Sequence, residues 1–311
     1  MAPPTLTGVL PVLAVPFHPD GQLDLDSFEN ICNCVLASGA DGALLFGIAS
    51  EFYKLSDSER RDLRRCFLGA AAGHPHVTTV VSVTAHATWL AVEEARAAVA
   101  AGAQALNLLP PYFLGPSHAD VYAHIDAVLG AVGVPVVVQY APAQTGTSLT
   151  AANLRALARA HANFTTVKVE SQPPGRFITE LAAESPPLAG IVGYAGLHLP
   201  DAVRRGAVGV QPGCSFVELY VKLWRDHRED RTASFEDLHR RMLPYLVSWM
   251  QNVELIIQVE KTILERRGMI SSDHCRSPRW QLDTEELALI DRFLEEFASE
   301  LTPPTVRGAD G

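Results

Sequence analysis

Short apolar runs rich in valine, isoleucine and leucine alternate along this chain with longer amphipathic, alanine-rich runs. The short runs predict strands at Val9–Val15, Gly42–Phe46, Val77–Val83, Ala105–Leu109, Val134–Gln139, Thr165–Val169, Leu188–Val192 and Ala207–Val210. Apolar residues at helical spacing between them predict helices at Asp26–Ala37, Ser58–Ala71, Thr88–Ala101, His118–Ala131, Ala151–Ala160, Arg176–Ala183 and Leu199–Arg205. Strand–helix alternation of this kind implies parallel strands covered by helices.

A quasi-repeat counts the units. Ser38-Gly-Ala-Asp-Gly42, Ala101-Gly-Ala-Gln-Ala105 and Arg205-Gly-Ala-Val-Gly209 each close a helix and enter a strand. Their glycines suit the left-handed residue that ends a helix. The spacing fits two units between the first pair and four between the second, a βα unit of roughly 26–32 residues repeated to eight strands. Ser56 followed by Glu59 reads as a capping box for the second helix. Beyond the eighth strand the pattern turns helical, with Phe235–Trp249, Val253–Arg267 and Thr284–Glu300 the clearest segments. The expectation is an α/β chain: a (β/α)8 barrel over 1–215 and a C-terminal helical subdomain over 216–311. An open dinucleotide-binding sheet is the alternative, but no G-x-G-x-x-G follows the first strand.

Composition narrows the function classes. Hydrophobic residues make up 48% and charged residues 19%, enough for a substantial core. A formal net charge of −10 argues against a general nucleic-acid binder. No run of about 18 apolar residues marks a membrane span, and the N-terminus lacks the charged start of a signal peptide. The five cysteines have no framework spacing, and reduced thiols in the cytoplasm are the expectation.

In a barrel, chemistry is done at the C-terminal ends of the strands. Those ends are Pro16-Phe17, Gly47-Ile-Ala-Ser-Glu51, Pro110-Pro-Tyr-Phe113, Gln139-Tyr-Ala-Pro142, Lys168-Val-Glu170, Gly193-Tyr194 and Gln211-Pro-Gly213. Lys168 is the one lysine among them, near the end of a β-branched strand. A buried ammonium is costly, and a poorly solvated amine is a nucleophile for carbonyl carbons. Snorkelling out of the strand end is the bland alternative. Glu170, two residues on, shares the face of Lys168 if the strand persists, and could serve as base or counter-ion. Ala49, Ser50 and nearby backbone amides form a small-residue turn that could hold a carboxylate, or simply close a βα connection. Tyr112 and Tyr140 could each deliver a proton or fill the barrel mouth. No metal site is expected: His74 and His76 stand at the wrong end, and His86 and His198 lack acidic partners at ligand spacing.

These motifs, in this order, resemble the dihydrodipicolinate synthase / N-acetylneuraminate lyase family of class I aldolases. The likeness rests on Gly47-Ile-Ala-Ser-Glu51, Pro111-Tyr-Phe113, Gln139-Tyr-Ala-Pro-Ala-Gln-Thr-Gly146 and Val167-Lys168, and spans about Leu6 to Ala298. It implies a (β/α)8 barrel with C-terminal helices and a homo-oligomer, dimer or tetramer. It also implies an imine between Lys168 and pyruvate or another 2-keto acid, with no cofactor. The chain departs from the family's pattern. The threonines of the synthase hydroxyl relay are replaced by Ile48 and Ala49, and the second tyrosine of P-Y-Y by Phe113. An ungapped alignment puts Gln139, not Tyr140, on the proton-shuttling tyrosine, and Gln144 on the arginine that holds the aldehyde substrate's carboxylate. Counting back from Lys168 favours Tyr140 and counting from Pro142 favours Gln139; neighbouring strand residues face opposite sides, so only one points inward. Gln139 is the preferred inward residue. Gly193 and Gln211 complete the expected substrate-binding set with Ala49, Ser50, Tyr112, Gln139 and Gln144, beside catalytic Lys168, Tyr140 and Glu170.

Two functional readings follow. The first is a lyase forming an imine at Lys168 and catalysing aldol cleavage, condensation or dehydration, with the missing relay arguing against lysine biosynthesis. The second is a relay-deficient homologue that binds keto acids or regulates. In neither is nucleic acid or membrane a partner; the ligand is a small keto acid.

Overall fold

The computed structural model describes residues 5–146 and 148–301. In chain order the elements are β1 Gly8–Val9, α1 Leu25–Ala37, β2 Gly42–Leu45, α2 Asp57–Ala71, β3 Thr78–Val83, α3 Thr88–Ala100, β4 Ala105–Leu108, α4 His118–Ala131, β5 Val136–Tyr140 and the single turn α5 Pro142–Thr145. There follow α6 Ala151–Ala160, β6 Thr166–Val169, α7 Pro174–Ala182, β7 Ala189–Val192, α8 Leu199–Arg204, β8 Gly209–Val210, α9 Val217–Arg228, α10 Thr232–Trp249, α11 Val253–Arg266 and α12 Thr284–Glu296. The strands run β1-β8-β7-β6-β5-β4-β3-β2 in one sheet. This is the strand order of a (β/α)8 barrel, as the periodicity predicts. The last residues of the expected C-terminal subdomain, 302–311, lie outside the described residues.

The chain packs as two compact units, one of the N-terminal segment to Leu10 with Thr78–Gln211, the other of Pro11–Val77 with the segment from Pro212 onward. In the first unit β3 to β8 and β1 pair in parallel. Their residues are almost all buried because helices cover one face and the barrel interior lies on the other. In the second unit Leu13 N–H donates to Leu44 O (2.8 Å) and Leu44 N–H to Pro11 O (2.9 Å). Val12 bridges to both Leu44 and Gly213. The strand expected over Val9–Val15 is thus broken into a short ladder and a bridge. Pro11 and Pro16 have no N–H to give a ladder.

Local rules hold where the sequence states them. Gly39, Gly102 and Gly206 of the quasi-repeat have φ of 88°, 102° and 91°, so each closes its helix in the left-handed region. At α2, Glu59 N–H donates to Ser56 Oγ (3.3 Å) and Ser56 N–H to Glu59 Oε2 (2.8 Å), completing the capping box. Among the described residues no helix is long and apolar enough to cross a membrane.

Candidate active site

The register of β5 to β8 sets out the inward-facing side chains of the first unit. Gln139 pairs with Lys168, Lys168 with Ile191, and Ile191 with Gly209, so these four share a face. Two residues further on, Glu170, Gly193 and Gln211 form the next row on that face. The ladder continues there through Gly193 N–H to Val169 O (3.2 Å) and Gln211 N–H to Val192 O (2.9 Å).

Lys168 is 5% exposed, so its head does not snorkel into solvent. Its Nζ lies 3.3 Å from Glu170 Oε1. The other Glu170 oxygen accepts a 2.6 Å hydrogen bond from Gln139 Nε2, and Gln139 Oε1 accepts from Asn107 Nδ2 at 3.1 Å. Asn107 also donates to Ser82 Oγ (3.2 Å). A polar chain thus crosses four strands, β3 to β6, and ends on the amine. Glu170 therefore stands as the counter-ion of that amine, and its carboxylate is a group that can accept a proton beside it. Gly193 explains how that carboxylate fits. A Cβ at Gly193 would stand 2.4 Å from Glu170 Cγ, a distance real Cβ atoms do not show.

Tyr140 points the other way. Its ring stacks on Phe177 of α7, centroids 4.4 Å apart, on the face of β5 opposite Gln139. Burial and the charge of Glu180 raise its phenol pKa. The proton-moving role expected for Tyr140 needs a bulge to turn it inward; the register runs regularly through Gln139 with Lys168 and Tyr140 with Val169, and alternation gives the interior to Gln139. Tyr140→Phe is therefore expected to change the turnover rate by less than about twofold, measured on the purified variant beside the wild type. A proton-transferring phenol would cost about 10²- to 10⁴-fold.

The remaining expected residues divide between the units. In the first, Gln144 Nε2 donates to the Tyr194 hydroxyl. Tyr194 and Ala195 both have φ near 50° (50° and 49°), two successive non-glycine residues in the left-handed region just after β7. Such backbone is strained and clusters at ligand sites. Tyr112 packs edge-on against His86, ring centres 4.6 Å apart, and the His86 Nδ1 accepts from the Tyr112 and Phe113 amides at 3.4 Å. Burial lowers the His86 pKa.

In the second unit, Ile48–Ser50 form one 3₁₀ turn. Ser50 is fully buried and donates its hydroxyl to Leu13 O at 2.6 Å, while its N–H and that of Glu51 bond back to Gly47 O and Ile48 O. The hydroxyl proton expected for a carboxylate is thus committed to the backbone. Glu51, left-handed at φ 51° and fully buried, pairs with the equally buried Lys261 and, at 2.9 Å, with Lys54, which reaches Glu254 at the same distance. The Lys261 ammonium also lies 4.3 Å from the centre of the Phe17 ring. Lys261→Met is expected to lower the unfolding free energy by about 3 kcal/mol, the low end for breaking a buried pair because Lys54 remains. Urea unfolding measures it. Adding Glu51→Gln should recover most of the loss, and a single-variant loss under about 0.5 kcal/mol, the scale of an ordinary surface substitution, would contradict the pairing.

Sequence reasoning missed Asn107 and Lys261, and placed Tyr194 at a strand end without a role. Asn107 had a signal: a lone amide in the apolar run Ala105-Leu-Asn-Leu-Leu109. Lys261 had none, since a charge in the helical run Gln258-Val-Glu-Lys-Thr262 does not state its partner, yet all five residues are buried.

An eight-stranded parallel barrel with an inward lysine and carboxylate at its strand ends has the architecture of a lyase of the aldolase/dehydratase kind. The chain belongs to the dihydrodipicolinate synthetase family, whose model matches residues 5–297. It is 32% identical over 220 residues to a 4-hydroxy-tetrahydrodipicolinate synthase of Xanthomonas campestris, covering 65% of this chain and 72% of the relative. It is 28% identical over 308 residues to an L-2-keto-3-deoxyarabonate dehydratase of Azospirillum brasilense, covering 94% and 96%. The crystal structure of a dihydrodipicolinate synthase from Rhodopseudomonas palustris superposes with a TM-score of 0.85 at 25% identity, covering 93% of this chain and 97% of that one.

Proposed function

We propose that this protein is a Schiff-base dehydratase of 2-keto acids bearing a hydroxyl at C4, with Lys168 as nucleophile and Glu170 as proton carrier. Lys168 Nζ attacks the C2 carbonyl and water leaves, giving the imine. Glu170 takes a C3 proton, the electrons move into the enamine, and the C4–O bond breaks as the same carboxyl returns the proton to the departing hydroxide. One water is lost from C3 and C4, and hydrolysis of the imine restores the lysine.

The observation that carries this reading is Glu170 Oε1 at 3.3 Å from Lys168 Nζ, its other oxygen held by Gln139. A carboxylate beside the imine carbon suits removal of a C3 proton. Gln139, on the inward position of β5, holds that carboxylate and has no acidic proton of its own to shuttle. The full-length likeness to a keto-deoxy acid dehydratase supports the choice of dehydration. A homo-oligomer, dimer or tetramer, is part of the same reading, supported by the exposed Trp89, Leu90, Phe113 and Leu114. The test is incubation with 4,5-dihydroxy-2-ketopentanoate and product analysis by mass spectrometry. Loss of one water without release of pyruvate is the expected result. Release of pyruvate would replace dehydration by aldol cleavage, and turnover only of pyruvate with an amino-acid semialdehyde would overturn the reading in favour of a synthase.

A further inference from the structure

Gln211 is the one inward residue of its row whose polar atoms are all left over. It is 3% exposed, and neither Nε2 nor Oε1 has a hydrogen-bond partner among the described residues. A buried carboxamide with both ends unpaired costs about 1–3 kcal/mol for each group, so the arrangement requires a reason. Its position supplies one. Gln211 shares the inward row with Glu170, and only Gly193 stands between them, two strand spacings or roughly 9–10 Å of backbone separation. With no side chain at Gly193, the Glu170 carboxylate occupies the space over that residue, and the Gln211 amide is the next inward group along the row.

Resting on the imine reading above, we infer that Gln211 is a specificity-determining residue that binds a hydroxyl of the substrate chain beyond the keto-acid head. The substrate class is then a 2-keto acid with a neutral, hydroxyl-bearing chain. The chemistry of the amide selects it. A hydroxyl both donates and accepts, so a hydroxyl or a vicinal pair satisfies Oε1 and Nε2 together. A terminal carboxylate or phosphate satisfies only Nε2, leaves Oε1 against like charge, and brings an anion towards Glu170. A plain alkyl chain leaves both ends unpaired, and sites built to hydrogen-bond a hydroxyl reject analogues that lack it.

Three five-carbon acids test this: 4,5-dihydroxy-2-ketopentanoate, 2-ketopentanoate and 2-ketoglutarate, which differ only beyond C3. The readout is the rate of borohydride trapping at Lys168 at limiting acid, normalised for each protein to its own rate with pyruvate. The wild-type protein should trap the dihydroxy acid about 10- to 100-fold faster than the other two, the scale of one or two unpaired buried groups. Gln211→Met, close in shape, should flatten that preference towards unity, and Gln211→Asn should restore part of it. Equal wild-type rates for the three acids would overturn the inference whether or not the variants fold, as would a preference that survives in Gln211→Met. Trapping with pyruvate alongside such results would leave the imine reading intact. No adduct with any of the four acids would remove that reading and this inference with it.

Discussion

Lys168→Ala is expected to lose turnover by on the order of 10³-fold or more, the scale seen when a nucleophile that works as part of a unit is removed. The loss should fall on kcat, because the covalent step is the one that Lys168 carries. The variant also leaves Glu170 without its cation. Gln139 still donates to that carboxylate at 2.6 Å, so the residue keeps a partner and the fold should survive. Circular dichroism and urea unfolding separate the two effects, since a folded variant with wild-type turnover would contradict the assignment of the nucleophile. Lys168→Arg should fare no better than alanine. A guanidinium keeps the charge beside Glu170 but does not lose a proton to become a nucleophile.

Glu170→Gln should give a different signature, and it is the second large effect. The substitution preserves shape and leaves the Lys168 amine in place, so trapping of pyruvate by borohydride should persist. Removal of the C3 proton should not. Exchange of pyruvate C3 protons in deuterated water is expected to slow by about 10²- to 10⁴-fold, the usual contribution of a positioned general base. Retained trapping with lost exchange would assign Glu170 to the proton step after imine formation. Exchange at the wild-type rate would show that another group moves the proton.

Much of this geometry is legible in the amino-acid sequence itself. Valine-rich runs and alanine-rich helices state the barrel because both faces of a parallel strand are buried. The observed strand ends differ by a residue or two where ladder bonds stop before hydrophobicity does. Strand one departs furthest, and the proline positions state why. In the site, alternation makes Gln139 and Tyr140 mutually exclusive, and β5 gives the interior to Gln139 because the Tyr140 ring stacks on Phe177. Glu170 is readable as sharing the face of Lys168, but its bond to Gln139 is not, since that depends on register between strands. The same holds for Lys261 and Glu51, which sit far apart in sequence and are fully buried as a pair. A charge in a helix looks solvated until its partner is known.

The carbinolamine chemistry assigned to Lys168 is the claim on which every other assignment depends, and one measurement addresses it directly. The wild-type protein is treated with borohydride in the presence of pyruvate, digested, and mapped by mass spectrometry. The account predicts a single reduced pyruvate adduct, carried by the peptide that contains Lys168 and absent when pyruvate is omitted. An adduct on any other lysine, or none with pyruvate at saturating concentration, would contradict it.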